Sequence, residues 1–95
     1  MEVVVTGPVI EWRGPAPFYF VTLPHDEADR IAEVAAAVTY GWGMIPVTCR
    51  LGDTTWTTSL WPRQDSYVIP IKDKVRTAET IALGDVVSVT LTLQV

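Results

Sequence analysis

The chain has 95 residues, 48% of them hydrophobic, and a formal net charge of −4. That length supports one small core, the composition is globular rather than disordered, and the acidic balance argues against a general nucleic-acid binder, whose phosphate contacts need a positive surface. A single cysteine makes no internal disulfide, and with a single histidine it offers no zinc-ligand spacing, so neither a metal nor a cofactor is expected.

The start, "MEVVVTGPVIEW", lacks a basic n-region and a small-residue cleavage site. No apolar run approaches the roughly 18 residues of a membrane span. The expectation is a soluble, cytoplasmic protein with no membrane contact. "EVVVTGPVIEW" and "FYFVTLP" read as strands separated by the proline-rich turn "RGPAP". Within the first of them, Gly7-Pro8 predicts a bulge or an edge, because Pro8 has no N–H to give to a ladder.

"PHDEADRIAEVAAAV" follows, with Ala28, Ile31, Ala32, Ala35 and Val38 in a helical stripe and Asp26, Glu27 and Asp29 in the first turn, where the helix dipole favours acids. The helix is expected to end before Gly41 and Gly43, where "TYGWG" turns the chain back. In "MIPVTCRL" a period of two points Ile45, Val47, Cys49 and Leu51 to one side and Thr48 and Arg50 to the other, which makes a half-buried strand and a buried, unreactive Cys49.

The second half reads the same way. "TTWTTSLW" is a strand, "PRQDS" a turn and "YVIPI" a strand; "KDKVRTAE" is a short helix, "LGD" a turn and "VVSVTLTLQV" a strand. Trp12 parallels Trp61, Phe20-Val21 parallels Tyr67-Val68, and Pro24 and Pro70 each precede a helix. The chain is therefore expected to be a single domain over 1–95 built from pseudo-duplicated β-β-α-β halves, about 2–51 and 54–95. Mainly β, with six strands and two short helices, it would most economically form a small closed six-stranded β-barrel, since closure removes exposed edges. With both halves in one chain, a monomer or weak dimer is expected.

Residues 1–49 carry two basic and six acidic side chains, residues 50–76 five and three, and residues 77–95 only two acids. Any anion site is thus expected in the middle segment. Lys72 and Arg76 are four apart on a predicted helix and share a face; with Arg50, Arg63, Ser59, Thr57 and Tyr67 they could form a pocket for a phosphate or carboxylate, Arg offering a planar fork and Lys a point charge. The residues favoured as ligand-binding are Arg50, Ser59, Trp61, Tyr67, Lys72 and Arg76. The bland alternative pairs the two cations with Asp73, Glu79 or Asp85 as salt bridges. Trp61 and Trp12 could stack on a ligand at a barrel mouth, while Thr57 and Ser59 equally serve as simple β-formers. Ser59 as a nucleophile needs a base, and the only histidine, His25, belongs to the other half. "GWG" lacks the further Gly or Lys of a phosphate loop.

"IPIKDKVRTAETIALGDVVSV" resembles the swapped-hairpin barrels of AbrB-type regulators and MazE-type antitoxins, which share Ile-Pro, a short helix with an Arg, and Gly-Asp before a strand. A broader resemblance rests on five blocks in order, "FVTLP", "GWGMIPV", "TTWTTSLWP", "YVIPIKDKVR" and "LGDVVSV": these are similar to DUF1905, a bacterial domain of unknown function. That resemblance implies a small β-barrel and carries over no catalytic or binding residue. The function expected is therefore a non-enzymatic binding or accessory module for a small anionic ligand or a protein partner. The alternatives are an AbrB-type DNA-binding regulator, touching phosphates with Lys72, Lys74 and Arg76, and an enzyme with its substrate at the barrel mouth.

Overall fold

The computed structural model describes residues 1–14, 18–35 and 44–93. The predicted "RGPAP" and "TYGWG" turns, the last residues of the first helix and the final two residues of the last strand lie wholly or partly outside these. In chain order the elements are β1 (Glu2–Pro8), β2 (Ile10–Trp12), β3 (Phe18–Thr22), α1 (His25–Ala35), β4 (Ile45–Leu51), β5 (Thr54–Arg63), β6 (Ser66–Ile71), α2 (Asp73–Ala78) and β7 (Val86–Leu93). The strands form one antiparallel sheet in the order β1-β7-β4-β5-β6-β3-β2.

A mainly β chain with two helices is what the residue pattern predicts; the closed six-stranded barrel is not what forms. The sheet has seven strands and curls into an open half-barrel. The reason lies in the first predicted strand. At Val9 the chain leaves the ladder: its N–H donates to the Asp85 carbonyl and its own carbonyl accepts from the Gly84 N–H, both at 2.8 Å. The two pieces on either side then go to different partners, β1 to β7 and β2 to β3. They become the two edges of the sheet, with no ladder between them. Pro8 sits at the end of an edge strand, where a missing N–H is tolerated.

The remaining pairings are local hairpins and two long-range ladders. β4 and β5 are joined by the two-residue turn Gly52-Asp53, with Gly52 at φ +59°, the geometry that favours Gly at the first turn position. β5 and β6 are joined by Gln64-Asp65, both at positive φ (47° and 61°), a type I′ pattern whose twist matches that of the strands. The predicted five-residue turn is thus only two residues long, because Pro62 and Arg63 extend β5 and pair with Tyr67 and Ser66. Pro62 is tolerated there: β4 pairs with β5 only as far as Leu60, so beyond it one side of β5 carries no ladder. β3 pairs with β6, and β4 with β7.

The concave face carries the main core. Val3 and Val5, Ile45 and Cys49, Trp56 and Leu60, Ile69 and Ile71, and Val89 and Leu91 alternate inward along their strands and are buried. α1 contributes Ala28 and Ile31 and α2 contributes Val75, each fully buried Val or Ile stabilising the fold by about 2 kcal/mol. Phe20 and Val68 are also buried, at 1% and 2% exposure, yet stand outside that core. They belong to the opposite face of β3 and β6, under a second apolar cluster.

Candidate functional site

Alternation places Phe18 and Phe20 on the side of β3 away from Val21, and places Trp61 on the side of β5 away from Leu60. The β2–β3 register sets Trp12 directly opposite Phe18. Phe18 is the hub: its ring centroid lies 5.5 Å from that of Trp12, 5.1 Å from Trp61 in an edge-on arrangement, and 5.3 Å from Phe20. These are the separations at which aromatic pairs attract through their quadrupoles. Phe20 is sealed beneath, whereas Trp12 and Trp61 remain 40% and 39% exposed.

Between them lies a cleft of about 430 Å³ lined by Trp12, Phe18, Trp61, Pro62, Arg63 and Val68. Among the described residues its one charged lining group is Arg63, whose guanidinium carbon is 4.9 Å from the Phe20 centroid, close enough for a cation–π attraction that holds the side chain against the sheet. Gly14, just beyond β2, packs so closely on the Trp12 indole that an added Cβ would run into the ring.

The six residues singled out from sequence are not gathered in one place. Arg50, Trp61 and Tyr67 line three different concavities. Arg50 donates from Nε to the Gly52 carbonyl at 3.2 Å, in a polar hollow with Glu2, Thr48, Thr90 and Thr92. Tyr67 faces the side where α1 packs, beside Ala28 and Ala32. Ser59 is half-buried opposite Pro46. Lys72 donates from Nζ to the Thr57 carbonyl at 2.8 Å. Arg76 is ion-paired with Asp73 and lies over the Tyr19 ring, 3.6 Å from its centroid. Of the other acids, Glu79 accepts from the Thr54 hydroxyl at 2.5 Å and Asp85 from the Ala82 N–H at 2.8 Å.

Sequence reasoning matched Trp12 with Trp61 and counted Arg63 among the anion-pocket candidates, but left Phe18 out and did not join Arg63 to the two tryptophans. The alternation of "FYFVT", together with the hairpin pairing of Trp12 with Phe18, carried the signal for the first. Arg63 was placed in a turn, and the two-residue hairpin returns it to the strand. Cys49 is fully buried; desolvation pushes its thiol up to about 12, only partly offset by the Lys72 charge. Such a group is neither nucleophile nor metal ligand at neutral pH. Among the described residues no cluster of His, Cys, Asp or Glu could hold a metal ion, and no helix is long and apolar enough to cross a membrane.

A family model described as a domain of unknown function, DUF1905, matches residues 6–91. The chain belongs to the DUF1905 family. The match runs from β1 into β7 and so takes in all four strands that build the aromatic cleft of this DUF1905 protein. Comparison with curated proteins gives no match.

Proposed function

We propose that this DUF1905 protein is a non-enzymatic binding module whose site is the Trp12–Phe18–Trp61 cleft, and that the cleft takes a small ligand with a flat apolar body. The observation that carries this reading is the exposure of two tryptophans on one face of the sheet, both in contact with a single half-buried phenylalanine hub. A cluster that served packing alone would bury its largest rings; here the rings at the rim stay open, and their faces offer dispersion and stacking to a ligand. On this reading the protein works in the bacterial cytoplasm, in keeping with its one unpaired cysteine.

A DNA-binding role would draw on Lys72, Lys74 and Arg76. Lys72 and Arg76 already have intramolecular partners, so support for that reading is thinner. Salt dependence separates the two, since a phosphate-dominated contact weakens steeply with salt and a stacked ligand does not.

The test is a thermal-shift and indole N–H titration against a panel of planar aromatic compounds, nucleotides, sugar acids and short duplex DNA. A ligand of the cleft raises the melting temperature of the parent and moves the Trp12 and Trp61 signals, and does neither in a Trp12→Ala/Trp61→Ala variant. A shift that survives in the variant would place the site elsewhere.

A further inference from the structure

Beside the aromatic cleft is a second, smaller cavity of about 220 Å³. Arg63 and Val68 line both, so Arg63 stands on the wall between them. On its far side the smaller cavity is lined by His25, the first residue of α1, together with Thr22 and Gln64. Among the described residues no carboxylate lines either cavity, although the chain as a whole carries a net charge of −4. Neither Arg63 nor His25 is ion-paired with an acid among the described residues. The other hydroxyl at the rim, that of Ser66, is already committed to the Leu23 carbonyl at 2.9 Å.

We infer that Arg63 and His25 form an anion-binding end to the aromatic cleft, so that its ligand is a small organic anion: a flat apolar body ending in a carboxylate or a comparable oxyanion. The inference rests on the cleft being the binding site. The chemistry divides by place. The Trp12, Phe18 and Trp61 rings take the apolar body, and the guanidinium of Arg63, aligned by its contact with Phe20, presents a planar fork that matches a carboxylate. Thr22, Gln64 and the His25 imidazole supply further hydrogen-bond donors across the cavity. The strand pair that carries Arg63 and the helix that carries His25 meet here because the Leu23 N–H donates to the Tyr67 carbonyl at 3.0 Å, which ties the entry to α1 onto β6.

The probe pair is 2-naphthylacetate and its neutral isostere 2-naphthylacetamide, titrated into the intact protein and followed by indole N–H shifts and calorimetry. The expected result is binding of both, with the carboxylate about tenfold tighter, the scale of one charge-assisted hydrogen-bonded contact. Arg63→Gln abolishes that preference, His25→Gln reduces it, and Lys74→Gln on α2 leaves it intact. Equal affinity for the two probes would overturn the anion-binding end while leaving the aromatic cleft standing. A preference that persists in Arg63→Gln/His25→Gln would overturn it equally, because the anion would be held elsewhere. If neither probe moves the Trp12 or Trp61 signals, the cleft reading and this inference fall together.

Discussion

Arg76 in α2 lays its guanidinium 3.6 Å from the ring centroid of Tyr19 in β3, joining a helix from one end of the sequence to a strand from the other. The same guanidinium is ion-paired with Asp73, one turn earlier in α2, while its Nε is buried and makes no hydrogen bond among the described residues. Stacking on Tyr19 and the ion pair with Asp73 together hold this side chain in place. A desolvated cation–π contact of this kind contributes about 1 to 2 kcal/mol.

Arg76→Lys is accordingly expected to destabilise the fold by about 1 kcal/mol, because an ammonium lacks the planar face that stacks. Tyr19→Phe keeps the ring and is expected to change stability by less than about 0.5 kcal/mol. Chemical denaturation of Arg76→Ala, Tyr19→Leu and the double variant measures the coupling, expected near 1 kcal/mol. Strict additivity would show that the two side chains are neighbours without being partners.

Cys49 makes the stability of the protein pH-dependent above pH 9. Its thiol has an ordinary value of 9.0 and is held near 12 in the fold by burial. Below pH 9 the thiol is neutral in both states and its contribution is intact. Between these values the unfolded chain releases the proton and the folded chain keeps it, so stability falls by up to about 1.4 kcal/mol per pH unit. Cys49→Val removes the thiol's share of this dependence. The expected outcome is a shallower loss of melting temperature from pH 8 to pH 10.5 in Cys49→Val than in the parent. The native thiol is also expected to resist alkylation at pH 8 until the protein is unfolded.

Strand faces were legible from the residues alone. Period-two alternation assigned Ile45, Val47, Cys49 and Leu51 to one side of their strand and Thr48 and Arg50 to the other, and burial follows that division. Helix starts were legible from Pro24 with the acids behind it and from Pro70 with Asp73. Closure was not, because it turns on a non-local choice: whether the Val9 backbone joins a ladder or, as found, bonds to the Gly84-Asp85 turn. The cations were legible as residue types, and Asp73 as a salt-bridge partner, which it is for Arg76. What else holds them, a main-chain carbonyl on β5 for Lys72 and a ring on β3 for Arg76, is not encoded near them in sequence. The aromatic cleft falls between these cases: its rings were visible, but their convergence depends on the β2–β3 and β3–β6 registers.

Two glycines with positive φ are expected to respond differently to alanine. Gly84, at φ +90°, has open space where a Cβ would go, so Gly84→Ala meets only the backbone cost of about 1 to 2 kcal/mol. Gly52, at φ +59°, has the Glu79 carboxylate in that place, the same group that accepts from Thr54. Gly52→Ala must displace it and is expected to cost about 1 kcal/mol more, the worth of the displaced hydrogen bond. If so, Thr54→Val will be harmful in the parent and nearly neutral in the Gly52→Ala background. An equal effect of Thr54→Val in both backgrounds would mean that Glu79 moves aside without losing its hydroxyl partner.

The β5–β6 hairpin offers a stabilising change that also bears on the site. Gln64 and Asp65 both hold positive φ, a conformation that Asn and Gly adopt with least strain and that the Asn-Gly pair favours in two-residue turns. Gln64→Asn/Asp65→Gly is expected to stabilise the fold by about 1 kcal/mol and to raise the melting temperature by about 4 to 8 °C for a domain of this size. The turn fixes the pairing of Arg63 with Ser66, and the double change leaves that register alone. Because Gln64 also lines the smaller cavity, its replacement by a shorter amide tests whether that side chain reaches the ligand. Unchanged preference for 2-naphthylacetate would assign Gln64 to the turn alone, and a loss of preference together with the gain in stability would assign it to both.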